Sequence, residues 1–319
     1  MRKIIGVLVG VSLLGMLFTG SFLGSFFEPE PHGVPVAVVG PDTLVNQLSG
    51  TMEYKKPGAF DLREYTSVEV AREALLGREV DAILVPREGR LVVASAGGRA
   101  GAAAITGAFQ AAERTQGRAL RVEDAVPLAT GDVGGTSGMF YVLSLVLPGL
   151  AMALLLTRVA PGHGLARRVG VLVAGALVAA SVNAWLADVV LGALPGRYGW
   201  LVVVSAGIVL TIGLVVSGLL KAIGIGGMVL AALLFIPIGL PASGGPIGAR
   251  FIPEWYAAIG RFLPVEPGGE AVRNTVYFDG AALGTPLVVL AAWALLGVVL
   301  LALPGRRTSS HQAAHRIRR

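Results

Sequence analysis

The sequence predicts a polytopic α-helical membrane protein with six transmembrane helices and a small α/β domain inserted after the first. Three observations lead to this prediction: the overall composition, six long apolar runs, and one charged stretch in which strand and helix patterns alternate. Of the 319 residues, 54% are hydrophobic and 14% are charged, and the mean hydropathy is +0.72. A soluble core of this size cannot bury so much apolar surface, so we expect lipid to cover the excess.

Six apolar runs have the length that crosses a bilayer as a helix, about 20 residues. They lie at 4–27, 139–157, 169–194, 200–220, 223–240 and 283–303. The first run is longer than the apolar region of a signal peptide and lacks an Ala-x-Ala site, which favours an uncleaved anchor over a cleaved leader. Pro237, near the end of the fifth run, predicts a bend or break in that helix.

Basic residues indicate the orientation of the chain. Six spans place both termini on one side, and the basic residues expected on that side are Arg2, Lys3, Arg158, Arg167, Arg168, Lys221, Arg306, Arg307, Arg316, Arg318 and Arg319. An excess of basic residues marks the cytoplasmic side. We therefore expect a multi-pass plasma-membrane protein with both termini in the cytoplasm. Its basic tail, 304–319, is expected to bind anionic membrane lipids.

Residues 28–137, between the first and second spans, are predicted to form an extracytoplasmic α/β domain. Apolar strand patterns lie near 34–39, 60–65, 81–85, 91–94 and 120–128, with helix patterns between them. Ser67 is a candidate helix cap, and Val68, Ala71, Ala74 and Leu75 would form the apolar face of the helix that follows. Strands separated by helices are typical of a small domain with a central sheet.

The sequence gives no indication of enzyme chemistry. His32 is the domain's single histidine, and its acidic residues lack a metal-ligand spacing, so no metal or cofactor is expected. Gly97, Gly98 and Gly101 do not fit a dinucleotide fingerprint, and we interpret them as a flexible turn. Cysteine is absent, which excludes a thiolate site. A basic stripe with interleaved aromatics, typical of nucleic-acid binding, is also missing from the sequence.

Residues 138–303 are predicted to form a five-helix transmembrane domain that contains a re-entrant segment at about 242–281. This segment is too polar and too rich in proline and glycine to span a bilayer. Phe251, Trp255, Ile259 and Phe262 recur at helical spacing, which indicates a helix lying in the interface or entering the bilayer partway. Irregular backbone at membrane depth persists only where protein or water covers it, so this segment would line a cavity.

Candidate functional residues fall in two places. Asp188, with Asn183 five residues earlier, is the one acid within a predicted span. Acids there are functional candidates, for proton relay or substrate contact, although water or Arg197 would also satisfy Asp188. In the segment before the last span the candidates for the substrate path are Arg250, Trp255, Arg261 and Arg273. The arginines would hold lipid headgroups or pair with Glu254, Glu266 or Glu270, and Trp255 would otherwise be an interfacial anchor.

Short motifs carry a family resemblance. Pro253-Glu-Trp-Tyr opens a short amphipathic helix, a Phe-Leu-Pro break follows at 262–264, and Ala-Val-Arg at 271–273 precedes the last span. This arrangement resembles the permeases of ABC type-2 exporters. The run Val36-Ala-Val-Val-Gly-Pro-Asp and the stretch 65–86 resemble the outer domain of the phage-infection-protein (Pip) branch of that family. Six spans with a large domain after the first is also the family's plan.

The resemblance implies a dimeric export permease, homodimer or heterodimer, that moves lipid-like or amphipathic substrates outward and couples to a separate cytoplasmic ATPase. The chain itself has no Walker A lysine, since its lysines are Lys3, Lys55, Lys56 and Lys221. The expected docking residues for an ATPase are Arg158, Arg167 and Arg168, in the loop between the second and third spans. Pip-like proteins often lack an evident ATPase partner, so coupling stays open.

A different class of function competes with this hypothesis. The chain would then be a non-transporting surface receptor or scaffold, anchored by its helices. A pure anchor needs neither a proline-broken segment before the last span nor an acid in the third, and the sequence has both, which favours transport. A membrane-embedded enzyme is the least favoured alternative, because no cluster of His, Asp or Glu lies at one depth in the spans.

Overall fold

The computed structural model describes residues 1–115, 117–159 and 162–304. Six helices in these ranges are long and apolar enough to cross a membrane: Ile4–Phe26, Ser137–Val159, Leu165–Val190, Tyr198–Ile223, Ile225–Ala242 and Gly284–Ala302. The prediction of six apolar helices and a small sheet is confirmed, and this is the pattern of a multi-pass membrane protein. The expected basic tail lies outside the described residues except for Pro304.

The sheet has five strands, β1 (Val34–Val39), β2 (Phe60–Tyr65), β3 (Ala82–Val85), β4 (Arg90–Val93) and β5 (Arg121–Asp124), in the order β2-β1-β3-β4-β5. β1 runs parallel to β2 and β3, β4 is antiparallel to β3, and β5 is parallel to β4. A tight turn joins β3 to β4, and Gly89 ends it with a φ of 57°. The last strand is shorter than the predicted 120–128, because the chain turns away after Asp124.

Helices cover both faces of the sheet. Helices α2 (Asp42–Lys55) and α4 (Arg99–Arg114) pack on one face, and α3 (Val68–Leu76) packs on the other. The Ser67 hydroxyl accepts a hydrogen bond from the Val70 N–H at 3.3 Å, so it caps α3 as expected. Ala71, Ala74 and Leu75 are buried. The side chains of β1, β3 and β4 alternate between the two apolar cores, as the period of a strand requires.

The apolar helices pack around one central member. Helix α7 (Tyr198–Ile223) contacts α5 (Ser137–Val159), α6 (Leu165–Ala184) and α12 (Gly284–Ala302), and it is the most buried of the six. One π-helical turn, Trp185–Val190, follows α6. The fifth apolar helix comprises α8 (Ile225–Leu233), a π-helical turn at Leu234–Ile238 and α9 (Gly239–Ala242). Pro237 lies within that turn, which is the irregularity that the sequence predicts.

Helix α1 (Arg2–Phe26) lies at the margin of this bundle. It meets the bundle near its C-terminal end, at α9 and the adjoining π turn. The Ser21 hydroxyl donates to the Pro237 carbonyl oxygen and lies beside the Tyr256 hydroxyl. The residues of its apolar window are not buried by the rest of the chain. We therefore expect lipid or another protein to cover this surface.

Helices α7 and α12 touch through their backbones. A methyl group added at Gly297 would lie 2.5 Å from the carbonyl carbon of Leu214, and one added at Gly218 would lie 2.8 Å from the carbonyl oxygen of Gly297. Glycine is required at these positions because no larger residue fits between the two backbones. The packing of α12 on α7 is therefore close and rigid.

The chain between α9 and α12 joins the two parts of the molecule. It contains a 3₁₀ turn (Ala249–Phe251), helix α10 (Glu254–Gly260) and helix α11 (Val265–Tyr277). Ile247 and Phe251 enter the core under α2 and α4, and Phe278 enters the core under α3. The sheet domain is therefore completed by side chains from this junction segment, 243–283.

Two expectations about this region are wrong. Phe251 is 5% exposed and belongs to the sheet domain, whereas Trp255, Ile259 and Phe262 are 68%, 42% and 73% exposed on α10 and the residues after it. The apolar stripe thus begins at Trp255.

The glycines near the start of α4, Gly97, Gly98 and Gly101, do not form the flexible turn that the sequence predicts. A methyl group on Gly101 would lie 2.7 Å from the Ile247 carbonyl oxygen, so these glycines let α4 pack closely against the junction segment.

We predict that Gly101→Ala destabilises the protein, because the new methyl group clashes with Ile247 and Phe251. Overpacking of this kind costs about 1 to 3 kcal/mol. Gly107→Ala is the matched control, since Gly107 lies on the same helix with no atom within 4 Å of the added methyl group. The control should be neutral or stabilising, by up to about 1 kcal/mol. Thermal unfolding in detergent compares the two, and an equal effect of both changes would contradict the packing argument.

Candidate functional site

A cleft of about 1110 Å³ lies where the sheet domain meets the junction segment and the first turns of α12. We call it the junction cleft. Its lining combines charged groups with apolar side chains, among them Trp255, Phe262 and Val289. This mixture and this size are typical of sites for small amphipathic ligands.

Helix α11 forms one wall of the junction cleft. Glu266, Glu270 and Asn274 recur every four residues and so lie on a single face of the helix, and all three line the cleft. The helix begins after Pro264 and ends at Tyr277. Asp279 and Gly280 then take positive φ values, 53° and 80°, which turn the chain toward α12. The fold thus presents two carboxylates and an amide from one rigid element.

Glu270 is held by two arginines. Its carboxylate accepts a hydrogen bond from Nη2 of Arg78 at 3.0 Å and pairs with Arg273 one turn later on α11. The Arg78 guanidinium also lies over the Phe278 ring, 4.7 Å from its centroid. Burial alone would raise the pKa of Glu270, but Arg273 and Arg78 more than offset it and hold that pKa below its usual value.

Arg250 forms a second ion pair at the cleft. Its Nε lies 3.1 Å from an Asp81 carboxylate oxygen, and its Nη1 donates to the Gly33 carbonyl oxygen at 3.2 Å. The expectation that Arg250 pairs with Glu254, Glu266 or Glu270 is therefore wrong. The 3₁₀ turn that carries Arg250 docks beside the start of β3, where Asp81 lies. Burial raises the pKa of Asp81 against the opposing effect of Arg78 and Arg250.

Glu266 differs from its neighbour Glu270 because its carboxylate has no hydrogen bond or ion pair within the described part of the chain. Glu266 also lines a second cavity, of about 40 Å³, and Asp132 and Tyr277 line the same cavity. Burial raises the pKa of Glu266 to about 7, and repulsion by Glu270 adds to this effect, while Arg273 and Arg261 oppose it. Glu266 is thus a titratable group without a fixed partner between two cavities.

Helix α10 forms the outer rim of the cleft. Trp255 and Arg261 line the cleft and are exposed. Next to them, the Phe262 carbonyl oxygen accepts a hydrogen bond from the Trp293 indole N–H at 2.6 Å, which ties the rim to α12. Tyr256 lies near Ser21 of α1 and donates to the Ile238 carbonyl oxygen at 3.1 Å. The predicted candidates Arg250, Trp255 and Arg261 therefore all border the junction cleft, while Arg273 lines the smaller cavity and pairs with Glu270.

Asn183 and Asp188 are not among the residues that line the junction cleft. The Asn183 amide donates to the Ala179 carbonyl oxygen at 2.8 Å, one turn back on α6. Asp188 accepts a hydrogen bond from the Gly196 N–H at 2.8 Å and so closes the loop before α7. Arg197, the expected alternative partner of Asp188, pairs with Asp279 instead. These contacts give both residues structural roles, and a transport role for either stays a prediction.

The three candidate docking arginines flank the loop between α5 and α6. Arg158 lies in the last turn of α5, and Arg167 and Arg168 lie in the first turn of α6. The Arg168 Nε donates to the His163 carbonyl oxygen at 3.1 Å and thus stabilises the turn into α6. Residues 160 and 161 of this loop lie outside the described residues.

In the part of the chain that the structure describes, no group of three His, Cys, Asp or Glu side chains is arranged to hold a metal.

Sequence reasoning assigned no functional role to Arg78 or Asp81. Arg78 is 192 residues from its partner Glu270 in the chain, so no local pattern reveals the pair. One signal was available: Gly77 marks the end of α3, so the sequence places Arg78 and Asp81 in the turn that leads into β3. The spacing of Glu266, Glu270 and Asn274 was the signal for the cleft-lining face of α11.

We predict opposite effects for two isosteric changes on α11. Glu270→Gln removes the charge shared by Arg78 and Arg273 and should destabilise the protein by about 3 kcal/mol. Glu266→Gln removes a buried carboxylate without a partner and should be neutral or stabilising at pH 8. Thermal unfolding in detergent, followed by tryptophan fluorescence, compares them. Equal destabilisation by both changes would contradict the distinction drawn between the two carboxylates.

Stability should also depend on pH through Glu266. Its pKa is about 7 in the folded protein and about 4.5 when unfolded, so between these values the folded state keeps a proton that the unfolded state has lost. The contribution of Glu266 to the free energy of unfolding therefore falls as pH rises through this window. The difference in melting temperature between Glu266→Gln and the parent protein should grow from pH 5 to pH 7.5. A difference that is constant over this range would count against the raised pKa.

Comparison of the chain with known proteins adds no family assignment. Protein-family models give no match, and neither do curated proteins or solved structures.

Proposed function

We propose that the chain is a membrane permease subunit that moves amphipathic or lipid-like substrates outward, as the resemblance to ABC type-2 exporters implies. The observation that carries this proposal is the junction cleft, about 1110 Å³ in volume, which combines ion-paired and unpaired charges with aromatic and aliphatic side chains. A ligand with a polar head and an apolar body matches both parts of this lining. A protein that only anchors a domain in the membrane needs no such cleft, so the cleft favours substrate transport over anchoring alone.

The position of the rim supports lateral entry of a substrate. Trp255, Ile259 and Phe262 are exposed along one side of α10 and the residues after it, as in helices that lie in a membrane interface. The cleft opens between this rim and Thr285, Pro286 and Val289 at the start of α12. A molecule in the outer part of a bilayer would reach the cleft without crossing the sheet domain. We propose that the sheet domain lies outside the membrane and both termini lie in the cytoplasm.

The proposed orientation predicts a specific labelling pattern. The chain has no cysteine, so single-cysteine variants are unambiguous. Tyr54→Cys, in the sheet domain, should react with a membrane-impermeant maleimide on intact cells, because Tyr54 is 90% exposed. Val159→Cys, at the end of α5, is 80% exposed and should react only after the cells are permeabilised. The reverse pattern would overturn the orientation, and the cysteine-free parent is the control.

Coupling to a separate ATPase is the energy source that we propose. Affinity purification of the full chain in mild detergent should then recover a stoichiometric nucleotide-hydrolysing subunit, identified by mass spectrometry and an ATPase assay. Arg158→Ala with Arg167→Ala should reduce this recovery by removing two cytoplasmic charges. Arg168 is left in place because it stabilises the turn into α6. Arg87→Ala with Arg114→Ala, in the sheet domain, removes equal charge and is the control.

Each result of this purification has a defined meaning. Recovery that falls in the loop variant and not in the control supports the coupled permease. Recovery of the chain alone, with no associated hydrolysis, would overturn the ATP-driven proposal and favour the receptor or scaffold function instead.

A further inference from the structure

We propose that the junction cleft binds amphipathic amines, with the ammonium group held by the Glu266 carboxylate. This proposal deepens the proposed export function, on which it rests for its biological meaning, by naming the chemical class of the ligand.

The charges around the cleft favour a cation. Four carboxylates line it, those of Asp81, Glu254, Glu266 and Glu270, and three guanidinium groups face them. Arg78 and Arg250 are already paired with Glu270 and Asp81, at 3.0 and 3.1 Å. The third guanidinium, of Arg261, lies at the exposed rim. Among the groups that line the interior of the cleft, Glu266 therefore offers negative charge that is not already paired.

Asn274 adds a second hydrogen-bond acceptor to the cleft, apart from Glu266. Asn274 is 2% exposed and lines the cleft, and its Oδ1 atom has no hydrogen-bond partner within the described residues. A buried polar atom without a partner costs free energy, so a ligand that donates a hydrogen bond there is stabilised. Glu266 and Asn274 lie eight residues apart on α11, about 12 Å along the helix axis. The ammonium group, which donates up to three hydrogen bonds, is therefore held at Glu266, and Asn274 accepts from a second donor farther along the ligand.

The apolar part of the cleft fits the rest of such a molecule. Trp255 and Phe262 lie exposed at the rim, and Val289 and Ile105 line the walls. Aromatic rings attract cations and apolar groups alike, so the rim suits the approach of a lipophilic amine. An anionic amphiphile would instead have to place its charge beside Glu266, with the two interior arginines already paired. The cleft therefore discriminates by the sign of the headgroup charge.

A matched pair of fluorescent ligands tests this assignment. Dansylcadaverine carries a primary amine, and N-dansyl-6-aminohexanoate carries a carboxylate on a chain of similar length. The purified full chain is placed in phosphatidylcholine nanodiscs at pH 8, and empty nanodiscs give the background. We expect saturable binding of the amine and at least about tenfold weaker binding of the carboxylate, since a charge-assisted hydrogen bond is worth this much.

Three variants separate the roles of the carboxylates. Glu266→Gln should weaken amine binding by roughly tenfold to a hundredfold, and Glu266→Asp should retain most of it because the charge remains. Glu254→Gln is the matched control: Glu254 also lines the cleft but is exposed at the first turn of α10, so binding should change by less than about twofold. Thermal unfolding of each variant verifies that it is folded.

Several outcomes would overturn the proposal. These are equal binding of the two dansyl ligands, unchanged amine binding by Glu266→Gln, and equal losses in the Glu254 and Glu266 variants. Should Glu266→Gln fail to fold, a loss of amine binding in the folded Glu266→Asp variant would also overturn it. None of these measurements requires an ATPase or transport, so the binding site and the export function succeed or fail separately.

The amine could come from a lipid or from a soluble amphiphile. Replacing half of the phosphatidylcholine with phosphatidylethanolamine distinguishes them. If the lipid amine occupies the site, the affinity for dansylcadaverine falls in the parent protein and not in Glu266→Gln. If the affinity is unchanged in both, the occupant is a soluble amphipathic amine. Either result supports the site, provided that the amine ligand binds through Glu266.

Discussion

The docking of the junction segment onto the sheet domain is the interaction on which the junction cleft depends. Ile247, Phe251 and Phe278 fill positions in the two cores of the sheet that its own helices leave open. Burial of each such side chain contributes about 1.5 to 3 kcal/mol. Ion pairs add less net stability because their charges must be desolvated, but they require one geometry. Apolar burial therefore holds the junction segment against the sheet domain, and the ion pair of Arg78 with Glu270 fixes their relative position.

The same docking separates the roles of two similar residues on α11. Glu270 faces the sheet domain, where Arg78 reaches it, and the pKa of Glu270 is lowered. Glu266 lies one turn earlier and forms no ion pair within the described residues, and burial raises its pKa against the weaker opposing effect of Arg273 and Arg261. The pKa values of two carboxylates four residues apart are thus shifted in opposite directions because of what a distant part of the chain places beside them. One of them stabilises the fold, and the other remains available for a ligand.

Local patterns in the sequence predicted most of the architecture. Hydrophobic runs predicted the six apolar helices, and Ser67 with the apolar face after it predicted α3. Both kinds of pattern depend on residues that are close together in the chain. The cleft depends on distant pairs, such as Arg78 with Glu270, 192 residues apart. Phe251 lies four residues before Trp255, as expected for one face of a helix, yet its side chain enters the sheet domain. Periodicity identifies an apolar face, but it does not identify what that face contacts.

The two sides of the cleft differ in rigidity, and this bears on how a ligand would enter. On one side, α12 rests on α7 where Gly297 and Leu214 touch through their backbones, and Lys221 of α7 donates to the Leu301 carbonyl oxygen near the far end. A shift of α12 would break these close contacts. On the other side, α10 rests on a helix interrupted by the π turn at Leu234–Ile238, and on the end of α1. Interrupted helices bend more easily than close-packed ones slide, so we expect the cleft to widen on the α10 side, where its exposed aromatic residues lie.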